Sequence, residues 1–288
     1  PSLLNTVQSL IDEDPSRRFA LTGSSARKLM RGKANMLAGR ILYEKLFPLN
    51  YWELGDKIDS SFLEKIFIKG TLPEVVDSEL SDDILESYVD VYLREEIQAE
   101  ALTKDLGDYG RFLNLAAEIS GQFLNYSKLA SDSEINKEKI RRYFEILSDT
   151  LLIHRIKSYG EISSNRKTRQ KDKFIFFDNG VRNAILKQNR NIFTKAQLGY
   201  LFEHWIFQQI ISWNQYNKKN WQISTYRDDR NLEVDLIIEN KKSTYLVEIK
   251  YQAKYRKEFG AALNEFSALK KKAKIISLVV YLGEHEQK

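Results

Sequence analysis

Residues Asn231–Lys250 read NLEVDLIIENKKSTYLVEIK. Two strand-like runs, Glu233–Ile238 and Thr244–Tyr251, flank a polar stretch, Glu239–Ser243. Apolar runs around a polar turn predict a β-hairpin. Alternate residues of a strand share a face. Glu248 and Lys250 therefore point the same way as Leu246, and Asp235 is expected to share a face with Ile237. Ionised groups among apolar neighbours are costly unless paired, hydrogen-bonded or metal-bound. Asp235 and Glu248 beside Lys250 offer oxygen donors of the kind that Mg²⁺ or Mn²⁺ takes. The lysine can orient a water and stabilise charge on a phosphate. A solvated hairpin would carry the same charges, but Leu236-Ile237-Ile238 and Tyr245-Leu246-Val247 mark both strands as largely buried.

The flanking order sharpens this reading. A helix over Gln197–Trp213 carries Glu203, and a strand near Trp221–Tyr226 precedes the hairpin. An amphipathic helix over Lys257–Lys272 and a strand over Ile275–Leu282 follow. Asp-x12-Glu-Ile-Lys in an αβββαβ order resembles the PD-(D/E)XK nuclease superfamily, whose fold is restriction-endonuclease-like. The resemblance implies Asp235 as the strand aspartate, Glu248 and Lys250 as the E-x-K pair, and Glu203 as the acidic residue of the first helix. It implies catalytic roles for Glu203, Asp235, Glu248 and Lys250, and metal ligation by Asp235 and Glu248. Val234 stands where the superfamily's name has proline. Some members keep this fold without catalysis.

Composition narrows the rest. The chain has 288 residues, 42% of them apolar and 12% aromatic, enough for two or three domains. No apolar run is long enough to span a membrane, and no signal peptide is visible. Zero cysteines exclude disulfides and cysteine-ligated zinc or iron–sulfur sites, and three histidines disfavour a histidine-rich metal site. His204, beside Glu203, reads as a packed or exposed helix residue rather than a metal ligand, since hard cations prefer oxygen. A reducing cytoplasm fits. The net charge of +5 is uneven: −6 over residues 1–106, +4 over 107–175 and +7 over 176–288. The basic charge lies where a polyanion such as DNA would dock.

The N-terminal part is expected to hold a helix over Leu3–Asp12, a short buried strand over Arg18–Thr22, a helix over Ser25–Met30 and a strand over Ile41–Leu46. The stretch LTGSSARKLMRGKANMLAGRILYEKLFPLNYWE, residues 21–53, is similar to predicted prokaryotic AAA+-type ATPases. That family joins its ATPase module to a helical region, a winged helix and a nuclease-like C-terminal domain. The resemblance implies that Ser24 or Ser25 is a polar sensor and that Arg40 is a nucleotide-sensing or finger arginine. A plain strand-to-helix cap at Thr22–Ser25 accounts for the same residues. No G-x-x-x-x-G-K-[ST] occurs, and the acidic Walker B strand is missing. The sequence, opening on Pro1, is thus read as beginning inside a longer protein. ATP is expected only in an intact full-length protein, and this chain is not expected to hydrolyse ATP by itself.

Residues 56–106 read as an acidic helical segment, broken at Pro73. Residues 107–190 read as a winged helix. Its third helix, Asn136–Asp149, turns Ile140, Tyr143, Phe144 and Leu147 inward, and its outer face holds Lys137, Lys139, Arg141 and Arg142. The wing loop carries Arg166, Lys167 and Arg169. Such a unit presents a helix to a groove and wing cations to phosphates, although winged helices also serve for packing alone. Asp178 reads as a helix cap for Val181–Lys187. Lys254, after the E-x-K strand, would rim a DNA groove.

The expected architecture is multidomain α/β: residues 1–55 the C-terminal remnant of an AAA+ module, 56–106 helical, 107–190 the winged helix and 191–288 the nuclease-like domain. Three functions are open. One is a Mg²⁺- or Mn²⁺-dependent DNA phosphodiesterase. Another is a non-catalytic DNA-binding module that serves an ATPase. The third is an assembly part of an ATPase, acting in a homo-oligomer. No membrane partner is expected.

Overall fold

In the computed structural model the described residues are 2–22, 42–55, 58–93, 106–160, 171–270 and 274–283. The elements described in the first part of the chain are helices: α1 (Ser2–Glu13), α2 (Tyr51–Leu54), α3 (Ser60–Lys69), α4 (Pro73–Val76) and α5 (Ser81–Ser87), which runs into a π-helical turn over Tyr88–Leu93. Next come α6 (Leu106–Glu118), α7 (Tyr126–Ser133), α8 (Lys137–Asp149), β1 (Ile153–Ser158), β2 (Lys173–Phe176) and α9 (Asn179–Ile185). The C-terminal part holds α10 (Lys195–Tyr216), β3 (Gln222–Arg227), β4 (Glu233–Glu239), β5 (Thr244–Lys250), a 3₁₀ turn (Lys257–Gly260), α11 (Ala261–Leu269) and β6 (Ile275–Tyr281). From α10 onward the order is α–β–β–β–α–β. No described helix is long and apolar enough to cross a membrane.

Local chemistry sets several of these boundaries. Asn125, Asn136 and Asp178 each cap the helix that follows by accepting a free backbone N–H, and Asp178 does so from Val181 at 3.0 Å. Thr194 and Gln197 form a reciprocal capping box at the start of α10. Asn240 closes the β4–β5 turn by accepting from Lys242 and Ser243, both at 2.8 Å.

The N-terminal strands expected over Arg18–Thr22 and Ile41–Leu46 do not form among the described residues. Residues 17–22 and 42–46 are irregular, with Phe19 42%, Leu42 89% and Leu46 92% exposed. A strand needs a partner to pair with, and neither segment pairs with a described strand. Ser24, Ser25 and Arg40 lie outside the described residues, as do Arg166, Lys167 and Arg169.

Among the described residues six strands form one sheet in the order β2-β1-β3-β4-β5-β6. β1 pairs antiparallel with β2 and parallel with β3, so the sheet continues from the α6–β2 unit into the C-terminal part. β5 and β6 are parallel, and the other neighbours are antiparallel. One core lies among α6, α7, α8 and α9, with Ile153, Phe174 and Phe176. A second lies between α3, α10 and the sheet, with Ile156, Ile175, Leu236, Ile238, Val247 and Ile249. A third lies under α11, with Tyr226, Val234, Ile237 and Leu246. The β1–β2 hairpin is thus packed on both faces. α10 is apolar on nearly all sides because it sits between layers.

One irregularity matters most. Ser224 pairs with Ile237 and Tyr226 with Val234, so Asp235 and Leu236 together face Thr225 alone. This is a β-bulge, which breaks strict alternation and re-aims side chains. Val234 and Ile237 both reach the core under α11, while Leu236 reaches the core under α10. Asp235 therefore does not share the face of Ile237, as strict alternation requires. It sits on the α10 side with Leu236.

Candidate active site

Asp235 lies near the end of the hairpin, where its charge acts on Glu203 of α10 and on Glu248 of β5. The Asp235 carboxylate accepts the backbone N–H of Ile249 at 2.8 Å. Lys250 Nζ donates to Glu248 Oε1 at 2.5 Å. Glu248 is 8% exposed, and its second oxygen, Oε2, is buried with no hydrogen-bond partner among the described residues. An orphaned buried carboxylate oxygen is expensive, and it is a ready donor to a cation.

Two further residues belong to the cluster and were not evident from the motif. Lys173 of β2 lies 3.0 Å from Glu233 Oε1 and 3.9 Å from Glu203 Oε1. Glu233 also faces Arg227, at 3.5 Å. Four carboxylates, Glu203, Glu233, Asp235 and Glu248, thus surround two lysines, Lys173 and Lys250. The only sequence signal for Lys173 is a charge at the start of an otherwise apolar strand.

The electrostatics follow from this imbalance. Desolvation, reinforced by the Asp235 charge and opposed by Lys173, pushes the Glu203 carboxyl up to about 7. Desolvation also holds Asp235 above its ordinary range, against the Ile249 hydrogen bond and Lys250. Glu248 is raised by desolvation and by Asp235. Burial works against the charge on Lys173 and Lys250, but the carboxylates outweigh it and both are held above the usual lysine range. The cluster is short of positive charge. Among the described residues no three His, Cys, Asp or Glu side chains converge into a metal-holding group. Asp235 and Glu248 of the hairpin are oxygen donors of the type Mg²⁺ takes.

His204 is buried. Its ring lies 4.2 Å from that of Tyr200, and neither nitrogen has a hydrogen-bond partner among the described residues. Burial holds it neutral, far below the ordinary imidazole value. Asp178 is equally buried. It accepts from Thr71 N at 2.8 Å as well as capping α9, so it ties two segments together.

The basic residues of α8 do not act as one face. Lys139 turns back to pair with Asp108 at the start of α6. Arg142 and Lys254 are exposed. Lys137 and Arg141 instead line a cleft of about 300 Å³ with Tyr126, Arg155, Lys171 and Asp172. The Arg141 guanidinium lies 5.4 Å from the centre of the Tyr126 ring.

Comparison with known proteins divides the chain in three. Residues 1–55 match an AAA domain, residues 60–191 a domain of unknown function (DUF8612), and residues 198–288 another domain of unknown function (DUF4143). An AAA-type segment therefore stands at the N-terminus. An uncharacterized protein of Mycobacterium tuberculosis is 22% identical over 256 residues, covering 87% of this chain and 56% of its own length. One of Methanocaldococcus jannaschii is 25% identical, covering 83% of this chain and 56% of its own length. One of Haemophilus influenzae is 28% identical, covering 60% and 47%. The chain spans about half the length of the curated relatives it matches. No solved structure matches it.

Proposed function

We propose that this chain is the C-terminal portion of an AAA-type ATPase whose last module is a PD-(D/E)XK nuclease-like domain. The α6–β2 unit, a winged helix in this reading, engages DNA. ATP belongs to the full-length protein, because the chain contains no phosphate-cradling loop of the P-loop type. The observation that carries the reading is the cluster itself: Asp235, Glu248, Lys250 and Glu203 share one sheet end, and Glu248 Oε2 is buried without a hydrogen-bond partner among the described residues.

In this reading Asp235 and Glu248 hold Mg²⁺ or Mn²⁺. The ion supplies Lewis-acid stabilisation of charge on a phosphodiester. Lys250 orients the attacking water and meets the charge that develops on phosphate oxygen. Glu203, titrating near neutrality, holds or relays a proton at the edge of the site. The Ile249 N–H fixes the Asp235 carboxylate.

A non-catalytic DNA-binding or assembly module is the second reading. It is favoured by the contact of Lys250 with Glu248, which occupies the ammonium that the first reading assigns to water and phosphate. Calorimetric titration of Mn²⁺ into wild type and Asp235→Asn/Glu248→Gln separates the two. Saturable binding that the double variant abolishes supports the first reading. Absence of binding in wild type removes it.

A further inference from the structure

We infer that Lys173 is a positioning residue of the C-terminal site. Delivered from the α6–β2 unit, its ammonium sits between Glu203 and Glu233 and keeps the Asp235 carboxylate on the Ile249 amide. The inference rests on reading the cluster as a site, but not on a metal being bound.

A lysine that is 5% exposed is rare unless it is paired. Along β2 the side chains alternate. Phe174 and Phe176 enter the core of the α6–α9 unit, while Ile175 enters the core beneath α10. Lys173 shares the face of Ile175 and so emerges at Glu203. Its position is held from behind: Phe123 forms an isolated antiparallel bridge with Lys173, and the Phe123 ring lies 4.7 Å from the ammonium. The same ring takes Arg227 at 5.8 Å. Glu233 is therefore gripped by a cation at each oxygen, Lys173 at Oε1 and Arg227 at Oε2.

The partners of Lys173 lie in a different matched region from Lys173 itself. Lys173 falls within 60–191, and Glu203, Glu233 and Asp235 fall within 198–288. The parallel pairing of β1 with β3 is what joins them. The charge balance of the site thus depends on the docking of two modules. Without Lys173, three carboxylates lose one of their compensating cations. Their mutual repulsion then acts on the one that carries a structural hydrogen bond, Asp235.

The test is amide hydrogen exchange of the full chain without added metal, comparing wild type, Lys173→Met and Lys173→Arg. In Lys173→Met the Ile249 amide is expected to exchange about tenfold faster relative to the other β5 amides. Lys173→Arg, which keeps the cation, is expected to stay near wild type. A general loss of protection along β5, or an Ile249 amide unmoved in Lys173→Met, overturns the inference. Should Lys173→Met fail to fold, the charge-balanced pair Lys173→Met/Glu233→Gln replaces it. Recovery of the fold with Ile249 protected supports the role, and a pair no better than the single variant overturns it. A protein that binds no Mn²⁺ removes the proposed metal chemistry and leaves this result standing.

Discussion

The carboxylate of Asp235 accepts the backbone N–H of Ile249 at 2.8 Å, just past Leu236 and Val247, the last paired residues of β4 and β5 on that side. Where the strands part, a side chain replaces the backbone acceptor. Asp235→Ala should leave that N–H unsatisfied in a site that water reaches poorly, at a cost of about 1–3 kcal/mol. Asp235→Asn keeps an oxygen acceptor and removes a desolvated charge, so its cost should stay under about 1 kcal/mol. Urea unfolding of the two variants gives the comparison. Equal losses would mean the hydrogen bond contributes nothing.

Glu203 gives the stability a pH dependence of definite sign. Its carboxyl is raised from 4.5 to about 7 in the folded chain. Between those values the native state keeps a proton that the unfolded state has lost. Stability should therefore fall as pH rises through this window. Asp235 and Glu248 are shifted in the same direction. Glu203→Gln should flatten the profile by on the order of 2 kcal/mol. Denaturation midpoints at pH 5 and pH 7.5 measure it, and parallel profiles for the variant and wild type would refute the assignment.

Two glycines meet around Asp178. A Cβ at Gly70, which has φ +75°, would fall 2.0 Å from Asp178 Oδ1. A Cβ at Gly180 would fall 1.8 Å from the carbonyl oxygen of Lys69. Asp178 is fixed by Thr71 and Val181, and the Lys69 carbonyl belongs to backbone, so neither can move away cheaply. Each alanine variant should lose more than about 2 kcal/mol. Gly110→Ala, where a Cβ meets nothing within 4 Å in a helix, is the control and should be neutral or stabilising.

The cleft beside α8 makes a distinction among basic residues that look equivalent in sequence. In the proposed DNA-binding reading, Lys137→Ala and Arg141→Ala should each lower the salt slope of binding by about one. Lys139→Ala should change it by less, because Asp108 already occupies that ammonium. Fluorescence anisotropy of a labelled duplex at several salt concentrations reads all three. An equal slope change for Lys139 and Lys137 would remove the cleft from the interface.

Asp235, Glu248 and Lys250 were legible before any coordinates because a hairpin is a local object. Its period-2 pattern, polar turn and buried runs lie within twenty residues of one another, and short-range geometry carries them to one end. The inward face of α8 and the cap at Asp178 were legible equally locally, from helical spacing and from a polar side chain before a helical run. The tertiary structure alone decided three things. The bulge opposite Thr225 depends on how β3 registers on β4, and it moved Asp235 to the other face. The strands expected near Phe19 and Leu42 had strand-like residues but pair with no described strand. Lys173 entered the cluster because β1 joined β3, pairing Lys157 with Ser224 and Ser158 with Thr225. Periodicity reads neighbours along the chain. It does not see which distant charge must arrive to make a buried carboxylate tolerable, since that is settled by the packing of one sheet against another unit's hairpin.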